Sequence, residues 1–193
     1  GKRFPERKRQ PHKFVCGGAR PENLLRNRMS RTPPATIAGL YRYPVKGLTP
    51  EPLQQVTLRV GQTLPADRRY AIENGPSGFD PAAPAWLSKS HYLMLMRNER
   101  LAGLRTHYED RLHLLTIREA GKVVARGDLE TAGGRAAIEG FFAANFAAEL
   151  KGPPKVLSGG GHSFSDVAQK VVSIINLGSL ASIENMVGLP VHP

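Results

Sequence analysis

Apolar and polar positions alternate through Ile37–Tyr43, around Ile37, Gly39 and Tyr41, which is the pattern of a half-buried strand. Pro44 stops that run, and the turn-rich stretch Gly47–Pro52 leads to a second predicted strand over Val56–Val60. Arg68–Glu73 makes a third, closed by the turn signal Asn74-Gly75-Pro76-Ser77-Gly78. Past Pro81 and Pro84, Trp86–Ser90 fits one helical turn and His91–Arg97 a buried strand rich in Leu and Met. Leu112–Arg118 and Lys122–Arg126 are strands joined across Glu119-Ala120-Gly121, a hairpin signal with Gly in the short loop.

The period then changes. Ile138, Phe141, Phe142, Phe146 and Leu150 follow helical spacing, so Arg135–Leu150 reads as a helix with an aromatic stripe toward the core. Lys151–Pro154 ends it and marks the best domain boundary in the chain. Beyond lie a Gly-rich loop at Ser158–His162, a buried strand at Val171–Asn176 and a short helix at Ser179–Met186. The expected class is α+β, predominantly β. A barrel-like or strongly curved antiparallel sheet with one amphipathic helix occupies 36–152, after a leader over 1–35. An incomplete second β-rich domain follows over 153–193.

Composition narrows the function classes. With 193 residues, 40% of them hydrophobic, the chain can build a packed core in one domain or two small ones. No apolar run reaches the roughly 18–20 residues that span a bilayer, and the N-terminus has no signal-peptide hydrophobic region. A cytoplasmic protein without a membrane partner is expected. The single cysteine, Cys16, excludes an internal disulfide framework and any multi-cysteine metal site.

A formal net charge of +11 suggests nucleic acid at first. Its distribution changes that. Residues 1–32 carry +8, including Arg7-Lys8-Arg9, and the remainder only +3. The leader has no periodic apolar pattern and reads as mobile, while Met29 reads as a natural start. A nucleic-acid-binding protein using this leader is the alternative reading of the chain, with affinity that falls steeply with salt.

Familiar catalytic motifs are missing: no G-x-S-x-G elbow, no P-loop, no H-E-x-x-H. Gly159-Gly160-Gly161 lacks the Lys-Ser/Thr of a P-loop and is either a plain turn or a backbone anion nest. The six histidines show no metal-ligand spacing. Asp166 reads first as a helix N-cap and second as a polar site residue. Two places stand out. Tyr43-Pro44-Val45-Lys46-Gly47 delivers a lysine where a strand stops, and Asp67-Arg68 puts an arginine at the start of the Arg68–Glu73 strand. The two are either ordinary surface charges or cations that converge on one rim of a sheet, placed to meet an anion.

These same residues carry a family resemblance. Ile37–Gly47, then Gly61…Asp67-Arg68, then the acid-Asn-Gly turn resemble the N-terminal β-barrel domain of MOSC proteins, relatives of the molybdenum cofactor sulfurase C-terminal domain and of the mitochondrial amidoxime-reducing component. A second stretch, Phe164-Ser165-Asp166 with Val172–Leu180, resembles the opening of the MOSC domain proper. The resemblance implies that Lys46 and Arg68 contact the phosphate and pterin of the molybdenum cofactor (molybdopterin), with a weaker role for Ser179. It also implies oxygen-atom or sulfur transfer at molybdenum in the full-length form, as an oxidoreductase or sulfur carrier served by an electron-donor or sulfur-donor protein. Sulfurase relatives join MOSC to a pyridoxal-phosphate desulfurase, for which this chain has neither the size nor a motif.

The departures set further expectations. The family's Ser after the lysine is Gly47 here, and the Gly-Leu before D-R is loosened to Gly61–Leu64. The chain stops at Pro193, where an R-F-R-P-N-like strand and the later molybdenum-ligating cysteine should follow; Cys16 lies on the wrong side of both matches. The expectation is a truncated fragment that lacks the catalytic cysteine, retains the cofactor weakly or not at all, and self-associates through an unpaired sheet edge near Val171–Asn176.

Overall fold

The structure, a computed structural model, describes residues 12–15 and 35–191; Arg7-Lys8-Arg9, Cys16 and Met29 lie outside the described residues. The strands are β1 His12–Val15, β2 Tyr41–Arg42, β3 Glu51–Pro52, β4 Gln55–Leu58, β5 Tyr70–Asn74, β6 Leu104–Glu109, β7 Leu114–Glu119, β8 Lys122–Asp128 and β9 Pro154–Ser158. Helix α1 spans Ala132–Asn145 and α2 Leu177–Val187.

β5 is the centre. All five of its residues are buried, which is what a strand covered on both faces requires. β9 pairs with it antiparallel, Tyr70 opposite Ser158 and Asn74 opposite Pro154. Along its other edge, Val45 makes a parallel bridge to Tyr70 and Tyr92 an antiparallel bridge to Glu73. β6, β7 and β8 form an antiparallel meander, and the short pairs β2–β3 and β1–β4 complete the strands. The α+β reading with mostly strands holds. The barrel does not close: among the described residues the ladders form four separate small sheets. Side chains from several of them meet in one core, including Tyr70, Ile72, Leu104, Tyr108, Leu115, Ile117 and Val156.

Local chemistry explains the best-predicted pieces. The β7–β8 hairpin turns on Ala120 and Gly121 at φ 48° and 82°, the paired left-handed residues that match strand twist. Helix α1 starts at Thr131, whose side chain accepts the Gly134 N–H, and it buries Ile138, Phe141 and Phe142 against β8 and β9. The strand-to-helix corner is closed by backbone contact. A Cβ on Gly134 would lie 2.1 Å from the Asp128 carbonyl oxygen, and one on Gly127 2.1 Å from that of Gly134. The outer edge of β6 is covered by side chains: Thr49 Oγ1 accepts the Thr106 N–H at 3.1 Å and Glu51 Oε1 the Tyr108 N–H at 2.5 Å.

Several expectations are corrected. Directly after Lys151–Pro153, β9 begins at Pro154 and pairs with the central strand β5; proline is tolerated as the first residue of a strand. Phe164, 1% exposed, packs with Ala71 and Tyr92. His91–Arg97 is a single bridge at Tyr92 followed by a turn in which the Asn98 side chain accepts the Met94 N–H at 3.1 Å. Val171–Asn176 forms no strand and is exposed, Ile174 by 93%, so the unpaired sheet edge foreseen there has no strand to carry it. Four leader residues, His12–Val15, pair with β4 where no element was foreseen. Helix α2 forms as predicted, between an Asn176 cap and left-handed Gly188, yet buries none of its residues. No helix among the described residues is long and apolar enough to cross a membrane.

Candidate anion site at Lys46 and Arg68

Pro44 ends the first strand run and leaves its carbonyl to the Tyr70 N–H at 3.1 Å, while the Lys46 N–H donates to the Tyr70 carbonyl at 2.9 Å. The Arg68 N–H donates to the Tyr43 carbonyl at 2.5 Å. The segments 43–47 and 67–70 are thereby stitched side by side, and the two predicted cations arrive on the same rim. Ala66 and Arg68 hold φ of 59° and 50°, a left-handed conformation that side-chain-bearing residues adopt at a cost of about 1–3 kcal/mol each and that clusters at functional positions.

Asp67 secures this corner. It is buried, its Oδ1 accepts the Tyr43 N–H at 2.7 Å, and its Oδ2 takes Arg68 Nη1 at 2.6 Å. The Arg68 guanidinium lies 4.8 Å from the Tyr43 ring centroid, a cation–π seat that aims it without burying it. Arg42, one residue before Tyr43, is spent structurally instead: it is buried between Glu51 and Asp110, at 3.0 and 2.6 Å.

Lys46 is 4% exposed, its Nζ 5.9 Å from the Tyr92 ring centroid. The ammonium donates to the Phe164 carbonyl at 2.9 Å and to Asp166 Oδ1 at 2.5 Å. The Phe164 N–H in turn donates to the Arg68 carbonyl at 2.8 Å, so three segments distant in sequence close on one point. Asp166 pairs with Lys46 and caps no helix, which corrects the N-cap reading.

Charge at the site is asymmetric. Burial pushes the Lys46 ammonium below its ordinary 10.5; the Asp166 hydrogen bond and charge oppose this, and the Arg68 and Lys89 cations add to it. For Asp166, burial works upward, but the Lys46 hydrogen bond and the charges of Lys46, Arg68 and Lys89 outweigh it and hold the carboxyl below 3.8. Both partners sit low because the burial falls unevenly: the lysine side chain is 5% exposed and the aspartate 63%.

Ser179 does not join them. It stands exposed on the first turn of α2, and among the described residues no hydrogen bond links it to Lys46, Arg68 or Asp166. Gly47 has a structural reason: its φ is +77° and an added Cβ would meet the Leu93 carbonyl oxygen at 2.8 Å, so this backbone has no room for the family's serine. Gly159–Gly161 carries the turn from β9 toward Phe164, with the His162 N–H donating to the Gly159 carbonyl. Lys89 acts on Lys46 and Asp166 through its charge, and no local sequence pattern marks it. Among the described residues no cluster of His, Cys, Asp or Glu can hold a metal ion.

A fixed lysine and a fixed arginine with a third cation nearby suit a phosphate, which needs rigid donors and positive charge together. Residues 34–149 match the family described as the MOSC N-terminal beta barrel domain. No curated protein and no solved structure matches the chain.

Proposed function

The chain belongs to the MOSC N-terminal beta barrel domain family, matched over residues 34–149, and on that premise we propose that it binds the molybdenum cofactor by its phosphate through Lys46 and Arg68. The observation that carries the reading is the stitching of segments 43–47 and 67–70, which puts both cations on one rim. Tyr70 holds that rim from below, since its main chain bonds both Pro44 and Lys46 while its side chain is anchored in the core.

When bound, the cofactor supplies oxygen-atom or sulfur transfer at molybdenum. The residues here bind and orient it: Lys46 places a point charge, Arg68 offers a planar fork, and the Tyr43 and Tyr92 rings back the two cations. None of these side chains is a soft ligand for molybdenum, so their proposed contribution ends at the phosphate and pterin. Ser179 is left out of the site.

Titration of the purified chain with molybdopterin, followed by pterin fluorescence, tests this. Saturable, dialysable binding is expected, weakened at least tenfold (~1.4 kcal/mol) by Lys46→Gln or Arg68→Gln. Unchanged binding in both variants, or none in the wild type, overturns it.

A further inference from the structure

The two carboxylates at the site are held in opposite ways. Asp67 is locked, buried and bonded through both oxygens to the Tyr43 N–H and to Arg68. Asp166 stands 63% exposed at its side chain, and its hydrogen bond among the described residues is the single one from Lys46. A buried ammonium without a counter-ion is strongly disfavoured, so Lys46 needs an anion whenever no ligand is present. The chain supplies its own, on an arm that can let go.

That arm is hinged at a fixed point. Phe164 is anchored in the core, its ring 5.0 Å from Phe79 and 5.4 Å from Tyr92, and its carbonyl keeps one Lys46 bond. Two residues on, Asp166 is free of the core, and residues 166–179 are all exposed. Releasing the carboxylate uncovers no apolar surface and returns one of the three ammonium donors. A carboxylate left beside an incoming phosphate would repel it, so the two exclude each other.

We propose that Asp166 is an internal counter-anion that latches Lys46 and is displaced by the phosphate of the ligand, so that occupancy of the site moves the segment from Ser165 onward. The latch rests on the anion site assigned above and adds its regulation: ligand binding is set against a tethered competitor, and the state of the site is signalled to the exposed segment beyond residue 166. Trp86 is built to report it. It is the sole tryptophan, and its Nε1–H donates to the Ser165 carbonyl at 3.3 Å.

The probe is inorganic phosphate at constant ionic strength, with affinity read by calorimetry for the wild type and for Asp166→Asn, and Trp86 emission followed in the wild type. The substitution is near-isosteric at an exposed position and removes the charge alone. Asp166→Asn is expected to bind phosphate about tenfold tighter (~1.4 kcal/mol), and wild-type Trp86 emission to shift along the calorimetric isotherm. Equal or weaker binding by Asp166→Asn, or binding with silent Trp86, overturns the latch while leaving an anion site. Absence of phosphate binding in both proteins also overturns it, and the molybdopterin titration then decides the cofactor reading separately.

Discussion

The Phe164 N–H and the Arg68 carbonyl meet at 2.8 Å, tying a segment nearly a hundred positions downstream to the strand end that carries a site cation. Phe164 is therefore where the packed body ends, and the side chains on either side of that limit should behave differently. Phe164→Ala is expected to cost about 3–5 kcal/mol, as for other buried aromatics. Ile174→Ala, at a residue 93% exposed, should stay within about 0.5 kcal/mol. Urea unfolding of the two variants checks this; similar costs would move the limit of the body past residue 174.

The ion pair at Lys46 gives a pH dependence with a definite sign. Asp166 is held below its ordinary 3.8 when folded, so its contribution is full above that value and is lost as pH falls through the lower folded one. Thermal midpoints of wild type and Asp166→Asn should converge below pH 3.8 and separate above it. Lys46, lowered by burial from 10.5, adds a second window of the same sign: stability rises as pH climbs from its folded value toward 10.5. A wild-type midpoint that tracks Asp166→Asn at every pH would contradict the assignment.

The strand-to-helix corner predicts opposite outcomes for two glycines of one helix. Gly134→Ala drives a Cβ to 2.1 Å from the Asp128 carbonyl and is expected to cost about 3 kcal/mol or more. Gly140→Ala meets nothing within 4 Å and should stabilise by about 0.5–1 kcal/mol through helix propensity. Denaturant midpoints at unchanged slope are the measurement.

Beneath the rim, Tyr70 Oη donates to Glu130 at 2.6 Å and lies 3.1 Å from Tyr108 Oη, which sits 2.9 Å from His113 Nδ1. Burial, then these bonds, push the Tyr70 hydroxyl far above its ordinary range, so it stays a neutral donor. Tyr70→Phe should cost about 1–2 kcal/mol. A double-mutant cycle with Tyr108→Phe should show coupling, since the pair shares one hydrogen bond; strict additivity would show that the two act independently.

How far the sequence reveals this molecule depends on the range of each signal. Lys46 and Arg68 were legible because Pro44 and the Asp67-Arg68 step mark strand ends locally. Asp166 was legible only as a second reading, since Ser-Phe-Ser-Asp looks like a cap nearby while its partner lies 120 positions away. Helix α1 announced itself through three phenylalanines. β6 hid behind Arg105 and His107, although Leu104 and Tyr108 both turn inward. β9 was lost because two prolines read as a stop, whereas the second serves as an edge residue. Of the run Leu93–Met96 only Leu93 and Met94 are buried; four apolar residues do not distinguish a strand from a turn, and Asn98 settles it by accepting the Met94 N–H.

The side-chain cover on β6 carries a consequence for how these molecules meet one another. Thr106 and Tyr108 present the donors that a foreign strand would use as a template, and Thr49 and Glu51 have consumed them. A chain that removes Glu51 exposes the Tyr108 N–H and leaves Arg42 with one fewer carboxylate, opening the meander to cross-molecular strand addition. One carboxylate thus serves as both internal tether and guard against polymerisation.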